Sequence, residues 1–179
     1  IVDRLVGSEM CIRDRSGNFT GYNGAVSLTD ASPTPANLKI INDASAGTIT
    51  LNDNSVTFTG SAAVMKAVFD GGLEGTQTGN VSISDTEGTI AATTLSAIGE
   101  QTNGTVTATG AITVTGTTEE ITNALVTESK LVVASNESAA VKFVGDNPTG
   151  AELALINPKV SGTITLADNA QTVSYTHLT

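Results

Sequence analysis

The sequence predicts a β-rich α/β repeat in which units of about 57 residues stack in a β-solenoid-like array. Each unit is expected to run strand, helix, strand, strand, helix. Three observations predict this. The first is self-similarity, which outranks other fold signals because stacked repeats bury a core that no single unit can. Leu38-Lys-Ile-Ile41 followed by Gly47-Thr-Ile49-Thr, Leu95-Ser-Ala-Ile98 followed by Gly104-Thr-Val106-Thr, and Leu153-Ala-Leu-Ile156 followed by Gly162-Thr-Ile164-Thr align without gaps. Gly47, Gly104 and Gly162 lie 57 and 58 residues apart. The second is period-two alternation, as in Val81-Ser-Ile83 and Ile112-Thr-Val114-Thr, which marks half-buried strands. The third is a Thr- and Val-rich composition with only 3% aromatic residues, since β-branched side chains suit a pleated surface.

The ends are read separately. Leu5 to Arg15 (Leu-Val-Gly-Ser-Glu-Met-Cys-Ile-Arg-Asp-Arg) matches the translation of a transposase-type sequencing adaptor. The reverse complement of that adaptor, in another frame, encodes Val-Ser-Tyr-Thr-His-Leu, which is Val173 to Leu178. One element accounts for both ends, so 1–15 and 173–179 are expected to be adaptor read-through and are set aside. The remainder divides into repeat 1 (16–80), repeat 2 (81–140) and a partial repeat 3 (141–172).

Each unit opens on a short alternating strand: Val26-Ser-Leu28, Val81-Ser-Ile83, Val141-Lys-Phe143. Next comes the Leu-x-x-Ile pair, expected to form one helical turn with a single apolar stripe. Gly104 and its equivalents are expected to reset the chain as a helix C′ residue or turn at positive φ. A strand through Val106 follows. The short link Ala108 to Ala111 leaves two choices: a corner of a parallel solenoid, or a hairpin in tandem small α+β units. Another strand (Val56 to Gly60; Ile112 to Gly116) leads into the better helix. There Thr117-Thr-Glu-Glu120 fits a capping box, Ser61 holds the equivalent cap, and Ile121, Ala124 and Leu125 are spaced for one helical face. Gly- and Ser-containing connectors (71–80; 127–138) close the units.

Setting the ends aside removes Cys11, His177, Arg4, Arg13 and Arg15. The rest has no Cys, His, Trp or Arg, and its bases are Lys39, Lys66, Lys130, Lys142 and Lys159. Removing Asp3, Glu9 and Asp14 leaves 15 acids against 5 bases, so the net charge of −10 is unchanged. Such an acidic chain with scattered lysines is not suited to neutralising phosphates, which argues against nucleic acid. No apolar run of about 20 residues is present, so no membrane insertion is expected. Ser-His-Asp, Cys-His and His/Cys zinc chemistry lack their residues. The adjacent Glu119 and Glu120 point to different faces and read as favourable helix-start charges. No catalysis is expected.

The order Val-x-Ile-Ser-Asp, Leu-x-x-Ile, Thr-x-Gly-Thr-Val-Thr-Ala, then Ile-Thr-Val-Thr-Gly-Thr-x-x-Glu-Ile-x-x-Ala-Leu resembles repeats of very large bacterial surface proteins, above all those of cyanobacteria and other aquatic bacteria. The likeness covers most of 22–172 and is clearest at 81–126, whereas 131–150 departs from it at Lys142 and Pro148. It implies a secreted or cell-surface, adhesin-like protein, often with calcium-binding neighbours. It names no catalytic residue.

Calcium takes oxygen ligands, and the candidates are Asp53 and Asp168, which follow their glycines by six residues, and Asp30 and Asp85 at equivalent strand ends. Turn aspartates that hold backbone amides are the plainer reading. No other cofactor is expected. The expected function is a structural or spacer segment of a large extracellular surface protein. Its partners would be neighbouring repeats of the same chain, and surface glycans or other cell-surface proteins. The alternatives are a calcium-dependent carbohydrate- or surface-binding module and a fragment of a carbohydrate-processing solenoid enzyme.

Overall fold

The computed structural model describes residues 23–108, 110–128, 131–133, 139–167 and 172–173 of the 179-residue chain. The adaptor-like segment 1–15 lies outside them. In chain order the elements are β1 (Val26–Ser27), α1 (Pro35–Ala44), β2 (Ile49–Thr50), β3 (Phe58–Gly60), α2 (Ala62–Asp70), β4 (Val81–Ile83), β5 (Glu87–Ala91) and α3 (Ala92–Glu100). Then come β6 (Val106–Ala108), β7 (Ala111–Gly116), α4 (Thr118–Thr122), β8 (Leu131–Val133), β9 (Ala140–Phe143), α5 (Gly150–Ile156), β10 (Ile164–Thr165) and β11 (Thr172–Val173). A π-helical turn, Asn123–Thr127, continues α4, and a 3₁₀ turn, Asn157–Lys159, follows α5.

The chain is mixed α/β with parallel sheets, and none of the described sheets closes into a barrel. The sheets are β1-β2, β3-β4-β6-β8 and β11-β10-β9-β7-β5. All pairings between these strands are parallel except β10 with β11. Partner residues are spaced narrowly along the chain. Val26 pairs with Ile49, 23 positions on. Val81 pairs with Val106, 25 on. Thr113 pairs with Ala140, 27 on. One helix fits inside most such steps, and successive helices pack on one another, α1 on α2, α2 on α3, α3 on α4 and α4 on α5. The physical step is therefore roughly half of the 57-residue sequence unit, which holds two unlike steps.

Packing explains why these segments adopt their conformations. Of the apolar faces predicted from spacing, Ile41 and Leu153 are partly buried, while Leu38, Met65, Leu95, Ile98, Ile121 and Ile156 are 0% exposed. So are the inward strand residues Phe58, Ile83, Val106, Ile112 and Val114. Phe58 meets Phe69 edge to face at 6.2 Å and 61°. Ser61 Oγ accepts from the Val64 N–H, and Thr117 with Glu120 forms the full capping box.

Three expectations need correction, and one open choice narrows. The Leu-x-x-Ile segments are not single turns: α1 has 10 residues, α3 has 9 and α5 has 7. Thr34 caps α1 with Pro35 in its first turn, and Thr149 with Glu152 boxes α5, which lengthens what the apolar pair alone suggested. Repeat 1 keeps the expected order, strand, helix, strand, strand, helix, whereas repeat 2 gains a strand before α3, namely β5. Its single buried residue, Ile90, gives no alternation to read. Gly104 is not at positive φ. It is needed for space: a Cβ there would stand 2.3 Å from the Gly79 carbonyl oxygen one step earlier. Finally, β6 and β7 lie in different sheets, so the Ala108–Ala111 link is not a hairpin between them. The tail residue Val173 forms part of β11, opposite Ile164.

Candidate functional site

The four aspartates singled out as calcium candidates are not brought together. Asp30 Oδ1 accepts from the Ser32 N–H at 2.9 Å, a local turn. Asp53 Oδ1 accepts from both the Ser55 hydroxyl, at 2.6 Å, and the Ser55 N–H, at 2.8 Å. Those two bonds, the side-chain one first, hold the Asp53 carboxyl below its ordinary value of 3.8. Asp168 lies outside the described residues. Among the described residues no three acidic, His or Cys side chains converge on a point that could hold a metal.

Asp85 has a different role. Its Oδ2 accepts from the backbone N–H of Ala62 at 2.7 Å, so it occupies the amino end of α2 from the following step. Helix starts carry unsatisfied N–H groups, and a carboxylate is a favourable partner for them. Asp146 does the same for α4, accepting from the Thr118 N–H at 2.9 Å. Sequence alignment set Gly145, not Asp146, opposite Asp85. Gly145 sits at φ +90° and absorbs the extra residue, so the carboxylate still arrives at the helix. The Gly-Asp pair after the strand was the available signal.

Each capping carboxylate borders an open cleft beside the helix it caps. The first, about 430 Å³, runs between Ala62, Ala63, Lys66 and Ala67 of α2 and Thr89 to Ala91 of β5. Lys66 is paired with Asp70 on the same helix. The second, about 380 Å³, lies beside α4, between Thr118, Glu119, Thr122 and Asn123 and the turn into α5. Repeat alignment places Ala62 on Thr118, Ala63 on Glu119, Lys66 on Thr122 and Ala67 on Asn123. At these four positions the first cleft carries three alanines and a paired lysine, and the second carries four polar residues.

Other polar groups tie one step to the next. Thr102 Oγ1 donates to the Gly79 carbonyl at 2.6 Å, and Thr50 Oγ1 donates to Glu74 at 2.8 Å. Asn80 Oδ1 accepts from the Thr105 N–H, and Asn147 Oδ1 from the Ala167 N–H. Among the described residues no helix is long and apolar enough to cross a membrane. Comparison with known proteins finds no matching family model, no matching curated protein and no matching solved structure.

Proposed function

We propose that this chain is a spacer segment of a large extracellular, adhesin-like surface protein, that it performs no catalysis, and that its steps stack as a β-solenoid. The observation that carries this reading is the reach of its polar side chains. The bonds just described join residues 20 to 28 positions apart, the distance from one step to the next. Side chains committed in this way stiffen a stack along its axis, which is what a spacer requires. Its first partners are then the neighbouring repeats of its own chain.

Two measurements test the proposal. Solution scattering should give a rod-like particle with a uniform cross-section; a compact, near-spherical profile overturns the stacking. Incubation with a panel of polysaccharides should release no reducing ends. Sustained turnover of any of them would overturn the spacer reading in favour of a carbohydrate-processing solenoid.

A further inference from the structure

We infer that Asn103–Gly104 is a site of spontaneous deamidation that the Thr102 hydroxyl holds off, and that Asn23–Gly24 is its unguarded counterpart. These are the two Asn-Gly pairs of the sequence. Glycine resists the cyclisation least, because no side chain hinders the approach of its nitrogen. The fold cannot give up Gly104, since a Cβ there would stand 2.3 Å from the Gly79 carbonyl oxygen. Asn103 is not needed in the same way: the equivalent residues before Gly47 and Gly162 are Ala46 and Ser161. Both asparagines are exposed, so water reaches their side chains.

What separates the two pairs is the glycine nitrogen. In the reaction that nitrogen attacks Cγ of the preceding asparagine and forms an N–Cγ bond. The Cγ–N bond of the side-chain amide breaks, and ammonia leaves with the proton of the glycine N–H. Water then opens the succinimide at one of its two carbonyls, giving aspartate or isoaspartate. The nitrogen must first give up its proton and turn toward Cγ. At Gly104 that N–H donates to Thr102 Oγ1 at 2.9 Å, and the same hydroxyl donates to the Gly79 carbonyl at 2.6 Å. Thr102 is 0% exposed, so water does not compete for these bonds. The Asn103 N–H is fixed as well, donating to the Gln77 carbonyl at 2.8 Å. At Gly24 the carbonyl is held, accepting from Ser45 Oγ at 3.4 Å, but the N–H has no partner among the described residues. Isoaspartate at 103 would add one atom to the backbone and one negative charge where two steps meet, loosening the joint with Gln77 and Gly79. This inference stands apart from the spacer proposal, and either can fail alone.

The test follows both sites in one sample. The whole chain is held in warm, mildly alkaline buffer, digested at acid pH, and read by mass spectrometry for the mass gain of deamidation at each asparagine. In the folded chain Asn23 should convert at least about tenfold faster than Asn103, a barrier difference of about 1.4 kcal/mol, the order of one buried hydrogen bond. In urea, where the bonds are gone, the two rates should converge. Thr102→Val, checked for folding by circular dichroism, should speed Asn103 by about tenfold and leave Asn23 unchanged. Thr102→Ser repeats the arrangement in which Ser45 Oγ accepts from the Gly47 N–H, and should return the rate of the parent. The inference is overturned if Asn103 converts as fast as Asn23 in the folded chain, if the gap survives in urea, or if folded Thr102→Val converts at the parent's rate. Should Thr102→Val fail to fold, the comparison of the native with the urea-unfolded parent decides alone.

Discussion

At the scale of single residues, the aspartates divide by what they hold. Asp85 reaches across a step to a helix start, whereas Asp30 closes only its own turn. Asp85→Ala should therefore cost about 1–2 kcal/mol in urea denaturation, the usual range for losing a helix-capping oxygen. Asp30→Ala should stay within about 0.5 kcal/mol, as a surface change away from such features does. Equal losses from the two would remove the distinction. Asp53 makes a prediction in pH. Its carboxyl is held low by Ser55, so the bonds favour the folded state above 3.8 and are lost as pH falls through the lowered folded value. Carboxyl NMR should give a midpoint below 3.8, and Ser55→Ala should move it upward. Because Asp53 is fully solvent-exposed, that shift should leave overall stability nearly untouched.

At the scale of elements, one helix start is left bare. Ala91 occupies the cap position of α3 with φ −65° and ψ 137°, the extended geometry a capping residue adopts, yet it offers no side-chain oxygen. Ala91→Ser or Ala91→Asp should stabilise the chain by about 1 kcal/mol; a loss would show that the site tolerates only a methyl group. The opposite holds at Gly104, where Gly104→Ala pushes a methyl group against the Gly79 carbonyl. The expected cost is about 2–3 kcal/mol, in the range of overpacked cores.

Elements also mark how far sequence reasoning reached. Helix faces and strand interiors were readable because Leu38, Leu95, Ile121, Val81 and Val106 repeat with the periods of the structures they build. β5 was not, since it buries only Ile90. The role of Gly104 was misjudged because the sequence of one segment does not show how closely the preceding one approaches. The second cleft was readable only in part. Thr117 and Glu120 announced a helix start, but the burial of Thr118 and the arrival of Asp146 depend on residues 28 positions apart in the chain.

At the scale of the whole molecule, the 57-residue unit is a pair of dissimilar steps. The two helices of a pair differ in their supports. α2 and α4 take a carboxylate from the next step, and α3 does not. A calcium-dependent module remains the main rival to a plain spacer. Binding to the native state raises the melting temperature by mass action. Millimolar calcium should therefore leave the melting temperature of the chain unchanged. A rise that a chelator reverses would assign Asp30, Asp53 or the undescribed Asp168 a ligand role and displace the plain spacer reading.

The carboxylate that completes a helix from the following step also imposes an order in time. Ala62 waits for Asp85, 23 residues downstream, a length of chain that spans about 80 Å when extended. A chain emerging from its amino end, whether from a ribosome or through a secretion pore, exposes α2 with its Ser61 cap but before the Asp85 carboxylate exists. The steps that hold α2 and α4 are then completed only by the arrival of their successors. Folding would advance as a front that lags behind emergence by one step, and a stalled chain would leave its newest helix the weakest.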